Sequence, residues 1–135
     1  MQYKIKKISG DASFREFYKI EKNSRFTILV KANKDKFRNL IIYAAINELL
    51  IKNKIKAPKL VQEYFVKNMM EIEDLGSYSF LEYIKNKKNK FSEYKKLVEL
   101  IIKLQKINFK KNIKFRNNKI KVKKYNLSEL HKESD

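Results

Sequence analysis

Ile8-Ser9-Gly10-Asp11-Ala12-Ser13-Phe14-Arg15-Glu16-Phe17-Tyr18 is a small-residue turn set between two strand-like runs, and the rest of the chain falls into place around it. The 135 residues contain only two glycines, Gly10 in this turn and Gly76 at the end of Met70-Glu71-Ile72-Glu73-Asp74-Leu75-Gly76. Glycine is favoured where the backbone takes φ > 0 or where a ligand must come close. A chain so sparing of it is expected to keep it where geometry requires it, although two ordinary turn glycines are the simpler reading.

Outward from that turn the first third reads as strands. Tyr3–Ser9 and Phe14–Lys22 flank it, Asn23-Ser24 is a two-residue hairpin signal, and Arg25–Lys31 forms a third strand. In that strand Phe26, Ile28 and Val30 share one face and Thr27, Leu29 and Lys31 the other. The spacing of Phe37, Leu40, Ile41, Ala44 and Glu48 predicts a helix over Asp35–Asn53. It must end before Pro58, because a proline biases the residue before it toward extended structure. Lys59–Val66 and Asn68–Glu73 are two further strands with a corner at Lys67-Asn68.

After Gly76 the pattern changes to helices, over Ser77–Lys87 and over Phe91–Ile107, the second with Phe91, Tyr94, Leu97, Val98, Ile101 and Leu104 on one stripe. Lys106–Lys124 reads as a basic connector, and Asn126 with Glu129 resembles a capping box opening a last short helix. A helix that short buries little, so the chain is expected to be part of a larger domain. The order β-turn-β-β-α-β-β followed by helices predicts an α+β protein. The expected architecture is a protein-kinase-like small lobe, a five-stranded antiparallel sheet plus one helix over residues 1–75, with the start of a helical large lobe over 76–135.

Composition narrows the chemistry. With 43% hydrophobic residues a core can form, and no run reaches the length of a membrane helix, which together with the absence of an apolar leader points to the cytoplasm and to no membrane partner. No cysteine and one histidine, His131, exclude thiolate zinc sites and most histidine-based metal clusters. The net charge of +18 is almost all lysine; arginine occurs only at Arg15, Arg25, Arg38 and Arg116. Arginine is the better reader of phosphates and bases, so a lysine excess suits a composition rich in Lys, Asn, Ile, Tyr and Phe better than a dedicated nucleic-acid reader.

The Gly10-Asp11-Ala12-Ser13 turn has the makings of a phosphate loop. Gly10 and Ala12 keep bulk away, backbone N–H groups around Ala12-Ser13 can face phosphate oxygens, and the Ser13 hydroxyl adds a donor. The plain alternative is a hairpin turn in which Asp11 and Ser13 satisfy their own backbone. Ile8 to Arg15 with Phe17-Tyr18 resembles the opening of the aminoglycoside phosphotransferase superfamily. It is closest to the branch of N-acetylmuramate/N-acetylglucosamine anomeric sugar kinases, with their G-D-A-S-x-R-x-[YF] phrase. Ile72-Glu73-Asp74-Leu75-Gly76 is similar to that family's L-E-D-L-G segment.

That resemblance implies ATP and Mg²⁺ as cofactors and an amino sugar or similar small molecule as substrate. Adenine would bond the Glu73 carbonyl and the Leu75 amide. Ile28-Leu29-Val30-Lys31 resembles the V-A-I-K strand of protein kinases, which implies Leu29 against the adenine and Lys31 on the α/β-phosphates. The same lysine is also one among 29 in the chain. A carboxylate partner for Lys31 is sought on the following helix, where Glu48 is the candidate by elimination; an exposed Glu48 pairing with Lys52 is the other reading. The family's H-G-D-x-x-x-x-N loop and later metal-binding Asp have no counterpart: Lys132-Glu133 follow His131. No catalytic residue is therefore assigned, and the expectation is the N-terminal, ATP-binding portion of a small-molecule kinase, inactive by itself. The alternatives are a basic nucleic-acid-binding domain, with nonspecific nucleic acid as partner, or a pseudokinase-like scaffold.

Overall fold

The computed structural model describes residues 3–8, 14–33, 38–108 and 112–121. Its first part is a five-stranded antiparallel sheet with one helix against it. The strands are β1 (Tyr3–Ile8), β2 (Arg15–Lys22), β3 (Arg25–Ala32), β4 (Leu60–Tyr64) and β5 (Met69–Glu73), in the spatial order β1-β2-β3-β5-β4. Asn23 and Ser24 both take positive φ, 49° and 59°, the twist that closes a two-residue hairpin between right-handed strands. A short 3₁₀ turn, Phe65–Lys67, and Asn68 at φ 57° make the corner between β4 and β5.

Helix α1 (Arg38–Lys52) buries Leu40, Ile41, Ala44 and Ala45 against the face of the sheet that carries Val30, Ala32, Met70 and Ile72. The small side chains on both surfaces let the helix lie close. Its end is a Schellman arrangement: Lys54 turns to φ 58°, its amide donates to the Ile51 carbonyl, and the Ile55 amide donates to the Leu50 carbonyl. Ile55 is buried as the hydrophobic anchor of that turn. Asn47, buried on the same helix, donates from Nδ2 to the Pro58 carbonyl at 3.0 Å and ties α1 to the extended segment leading into β4.

Two helices follow, α2 (Phe80–Lys85) and α3 (Lys90–Gln105). Ser79 and Glu82 form a reciprocal capping box on α2, and the Asn89 side chain accepts from the Ser92 amide at the start of α3. The sequence places helix over Ser77–Lys87, yet only six of those residues are helical.

The largest correction lies further on. Residues of the expected basic connector form a hairpin, β6 (Asn112–Phe115) and β7 (Asn118–Lys121), turned by Arg116 at φ 52°. Its Phe115 and Ile120 enter the same core as Leu40 and Met70, and Arg116 Nε lies 3.4 Å from Glu63 on β4. Alternation of Ile113 and Phe115 before Arg116-Asn117 was a legible strand signal, but lysines at the intervening positions hid it. The last expected helix, opening at Asn126, and His131 lie outside the described residues.

Candidate functional site

Register divides the sheet into an inner face, toward α1, and an outer face. Ile8 pairs with Phe17, Phe17 with Val30, and Val30 with Met70, so these four share the inner face. Lys19 pairs with Ile28 and Ile28 with Ile72 on the same side. Helix α1 covers the Val30–Ala32 end of this face and leaves its other end to a cleft of about 520 Å³. Ile8, Phe17, Ile28 and Ile72 form an apolar wall of the cleft, and the linker Glu73–Ser77 runs along it. An apolar slot edged by backbone is the usual make-up of a site for a flat organic ring.

The Asp74 carboxylate helps to hold the linker in place. Asp74 Oδ2 lies 2.7 Å from Lys19 Nζ, and its Oδ1 accepts from the Gly76 amide at 2.8 Å. Gly76 takes φ +91°, which a side chain would strain, so the glycine is required by the turn. The Asp74 side chain is only 10% exposed. The hydrogen bond from Lys19 holds its carboxyl below the ordinary range; burial opposes this, and the Gly76 amide and the Lys19 charge add to it. Lys19 also lies 4.7 Å over the Phe26 ring, which steadies the ammonium on the inner face.

The residues expected from sequence are distributed unevenly. Glu73 and Leu75 both line the cleft. Gly10, Asp11, Ala12 and Ser13 lie outside the described residues. Leu29 and Lys31 pair with Tyr18 and Glu16 of β2 and with Glu71 and Met69 of β5, which places both on the outer face, away from the cleft. Their assignment to adenine and phosphates is therefore corrected. The inner face of β3 carries Phe26, Ile28, Val30 and Ala32 instead.

Lys31 belongs to an outer-face charge cluster centred on Glu16. Lys7 Nζ lies 2.7 Å from Glu16 and the Tyr18 hydroxyl donates to it at 3.2 Å. These two hydrogen bonds, the Lys7 charge and, least, the Lys31 charge hold the Glu16 carboxyl below its usual range. Glu48 is exposed and ion-paired with Lys52 one helical turn on, the alternative reading of that residue; it lines a separate cavity beside Phe115. The sequence missed Phe17, Lys19, Ile28 and Asp74 as cleft residues. Phe17, Lys19 and Ile28 sit on the correct face in the strand alternation and Asp74 directly follows β5, but nothing local says which face turns toward the helix.

Among the described residues no group of three His, Asp or Glu side chains converges as a metal ion requires, so the Mg²⁺ implied by the resemblance finds no holding set there. No described helix is long and apolar enough to cross a membrane. No protein-family model, curated protein or solved structure matches this chain.

Proposed function

We propose that the chain is the ATP-binding part of a small-molecule phosphotransferase of protein-kinase-like architecture, acting on an amino sugar or a similar compound. The observation that carries this reading is the cleft on the inner face. An apolar slot built by β1, β2, β3 and β5 opens along the Glu73–Ser77 linker, and Glu73 and Leu75 are among the residues that line it. The sheet order and the single helix on one face support the same reading. The base would lie between Ile8, Phe17 and Ile28 and bond linker backbone, in a cleft that Lys6, Lys7, Lys19, Glu73 and Asp74 also line. With no Mg²⁺ ligand set among the described residues, the phosphoryl step itself is assigned to none of them.

Adenosine titrated into the ¹⁵N-labelled chain tests the reading. Expected are amide shifts confined to Ile28, Ile72 and Glu73–Ser77, abolished by Ile28→Trp, which fills the slot. Shifts spread over the lysine-rich surface, with short DNA or RNA binding that weakens steeply between about 50 and 200 mM salt, would turn the assignment toward a nonspecific nucleic-acid binder.

A further inference from the structure

With Lys31 on the outer face, a nucleotide in the cleft needs another cation for its phosphate. Among the described residues the cations that line the cleft are Lys6, Lys7 and Lys19. Lys7 is turned to Glu16 on the outer face, at 2.7 Å, and Lys19 is bound to Asp74 at 2.7 Å. Lys6 is exposed and has no hydrogen bond, ion pair or ring contact among the described residues. Its place is fixed by register. Lys6 pairs with Lys19, Lys19 with Ile28, and Ile28 with Ile72, so one rung of the sheet crosses the inner face from β1 to β5. All four residues of that rung line the cleft.

Like charges directly opposite each other on one face of a sheet repel, so Lys6 and Lys19 side by side call for negative charge. The nearby carboxylates are already engaged. Asp74 answers Lys19, Glu21 lies 4.0 Å from Lys4, and Glu73 accepts from the Lys59 amide at 3.3 Å. Lys6 is left uncompensated at the edge of the apolar wall, two residues before Ile8 on the same face. An apolar wall edged by one unmatched ammonium fits a flat ring joined to an anion. Lys6 stands two strands from Ile28, roughly 10 Å across the sheet, a gap that a base and its ribose bridge. We propose that Lys6 binds the 5′-phosphate next to the ribose of a nucleotide whose base lies against Ile8, Phe17 and Ile28. Its compact ammonium, with three rotatable donors on a flexible stem, takes a phosphate as a point charge. The assignment rests on the nucleotide reading of the cleft and adds to it the phosphate end of the site.

The test compares adenosine, AMP and inorganic phosphate on the full 135-residue chain. It is run at about 0.15 M salt, where diffuse attraction by the basic surface is screened. Kd is read from the amide signals of Lys6, Ile28, Ile72 and Leu75. AMP is expected to bind at least about fivefold more tightly than adenosine, the size of a charge-assisted bond in a half-open cleft. Lys6→Gln should bring AMP to within about twofold of adenosine, and Lys6→Arg, which keeps the charge, should keep most of the gain. Lys31→Gln removes the same charge from the outer face and should leave the gain intact. Adenosine binding unchanged in each variant reports an intact fold and base site. An AMP gain that survives Lys6→Gln overturns the assignment while leaving the base site standing. A gain lost equally in Lys31→Gln overturns it too, because it would then come from the field of the whole surface. So does inorganic phosphate that binds as tightly as AMP, since the ring would then contribute nothing. A chain that binds neither adenosine nor AMP in the cleft removes the nucleotide reading and this inference together.

Discussion

Helices α1 and α3 are nearly equal in length, and their sequences would rank them in the wrong order for burial. α3 has the cleaner apolar stripe, yet none of its residues is buried: Phe91 is 79% exposed and Val98 54%. α1 is apolar over much of its surface and has the weaker stripe, and five of its residues are buried, Leu40 completely. The difference is what each one meets. The inner face of the sheet offers α1 Val30, Ala32, Met70 and Ile72, and the β6–β7 hairpin covers it further with Phe115 and Ile120. α3 is tied down at a few points, by Phe80 edge-on to Tyr94 and by Lys103 donating to the Lys54 carbonyl. Amphipathicity states which side of a helix wants cover; burial depends on whether another element supplies it.

The contrast can be broken first at Phe115. If the hairpin is part of the α1 core, Phe115→Ala should cost about 3–5 kcal/mol, read as a drop in the urea midpoint. A change below about 1 kcal/mol would mean that residues 112–121 behave as the loose basic connector suggested by their composition. Next comes Asn47→Ala, which removes a buried side chain and the donor to the half-buried Pro58 carbonyl and should cost about 1–3 kcal/mol in the same assay.

A smaller effect is expected at Asp74. A carboxyl whose folded pKa is depressed contributes stability that is fully present above its unfolded value and is lost as pH falls through the folded one. The stability difference between wild type and Asp74→Asn should therefore be constant near neutral pH and shrink below about pH 4, as followed by urea melts across that range. A difference that stays constant down to about pH 2 would show that Lys19 does not hold this carboxyl. The smallest effect belongs to α3: Val98→Ala should shift stability by less than about 0.5 kcal/mol, and a loss of 2 kcal/mol or so would mean that its stripe is covered in solution.

The site was legible in pieces. Glu73, Leu75 and the glycine turn at Gly76 could be placed at the end of a strand from residue types and order, and the structure sets them on one cleft. Lys31 could not be placed, because Thr27-Ile28-Leu29-Val30-Lys31 carries aliphatic residues on both faces. A period of two sorts residues into two sets but does not say which set looks inward. Choosing the lysine-bearing set for the cleft sent Leu29 and Lys31 to the wrong side and passed over Ile28 and Phe17.

Local chemistry alone determined the order of elements in this chain: the hairpin at Asn23-Ser24, the stop of α1 ahead of Pro58, the five strands and the two later helices. Those features depend on backbone preferences and side-chain periodicity within a few residues. The inner face of β3, the docking of the β6–β7 hairpin on α1 and the large exposure of the α3 stripe were decided only by the tertiary structure. Each is a choice between surfaces of similar polarity, and it is settled by which distant element can close on which face without leaving a gap or a buried charge.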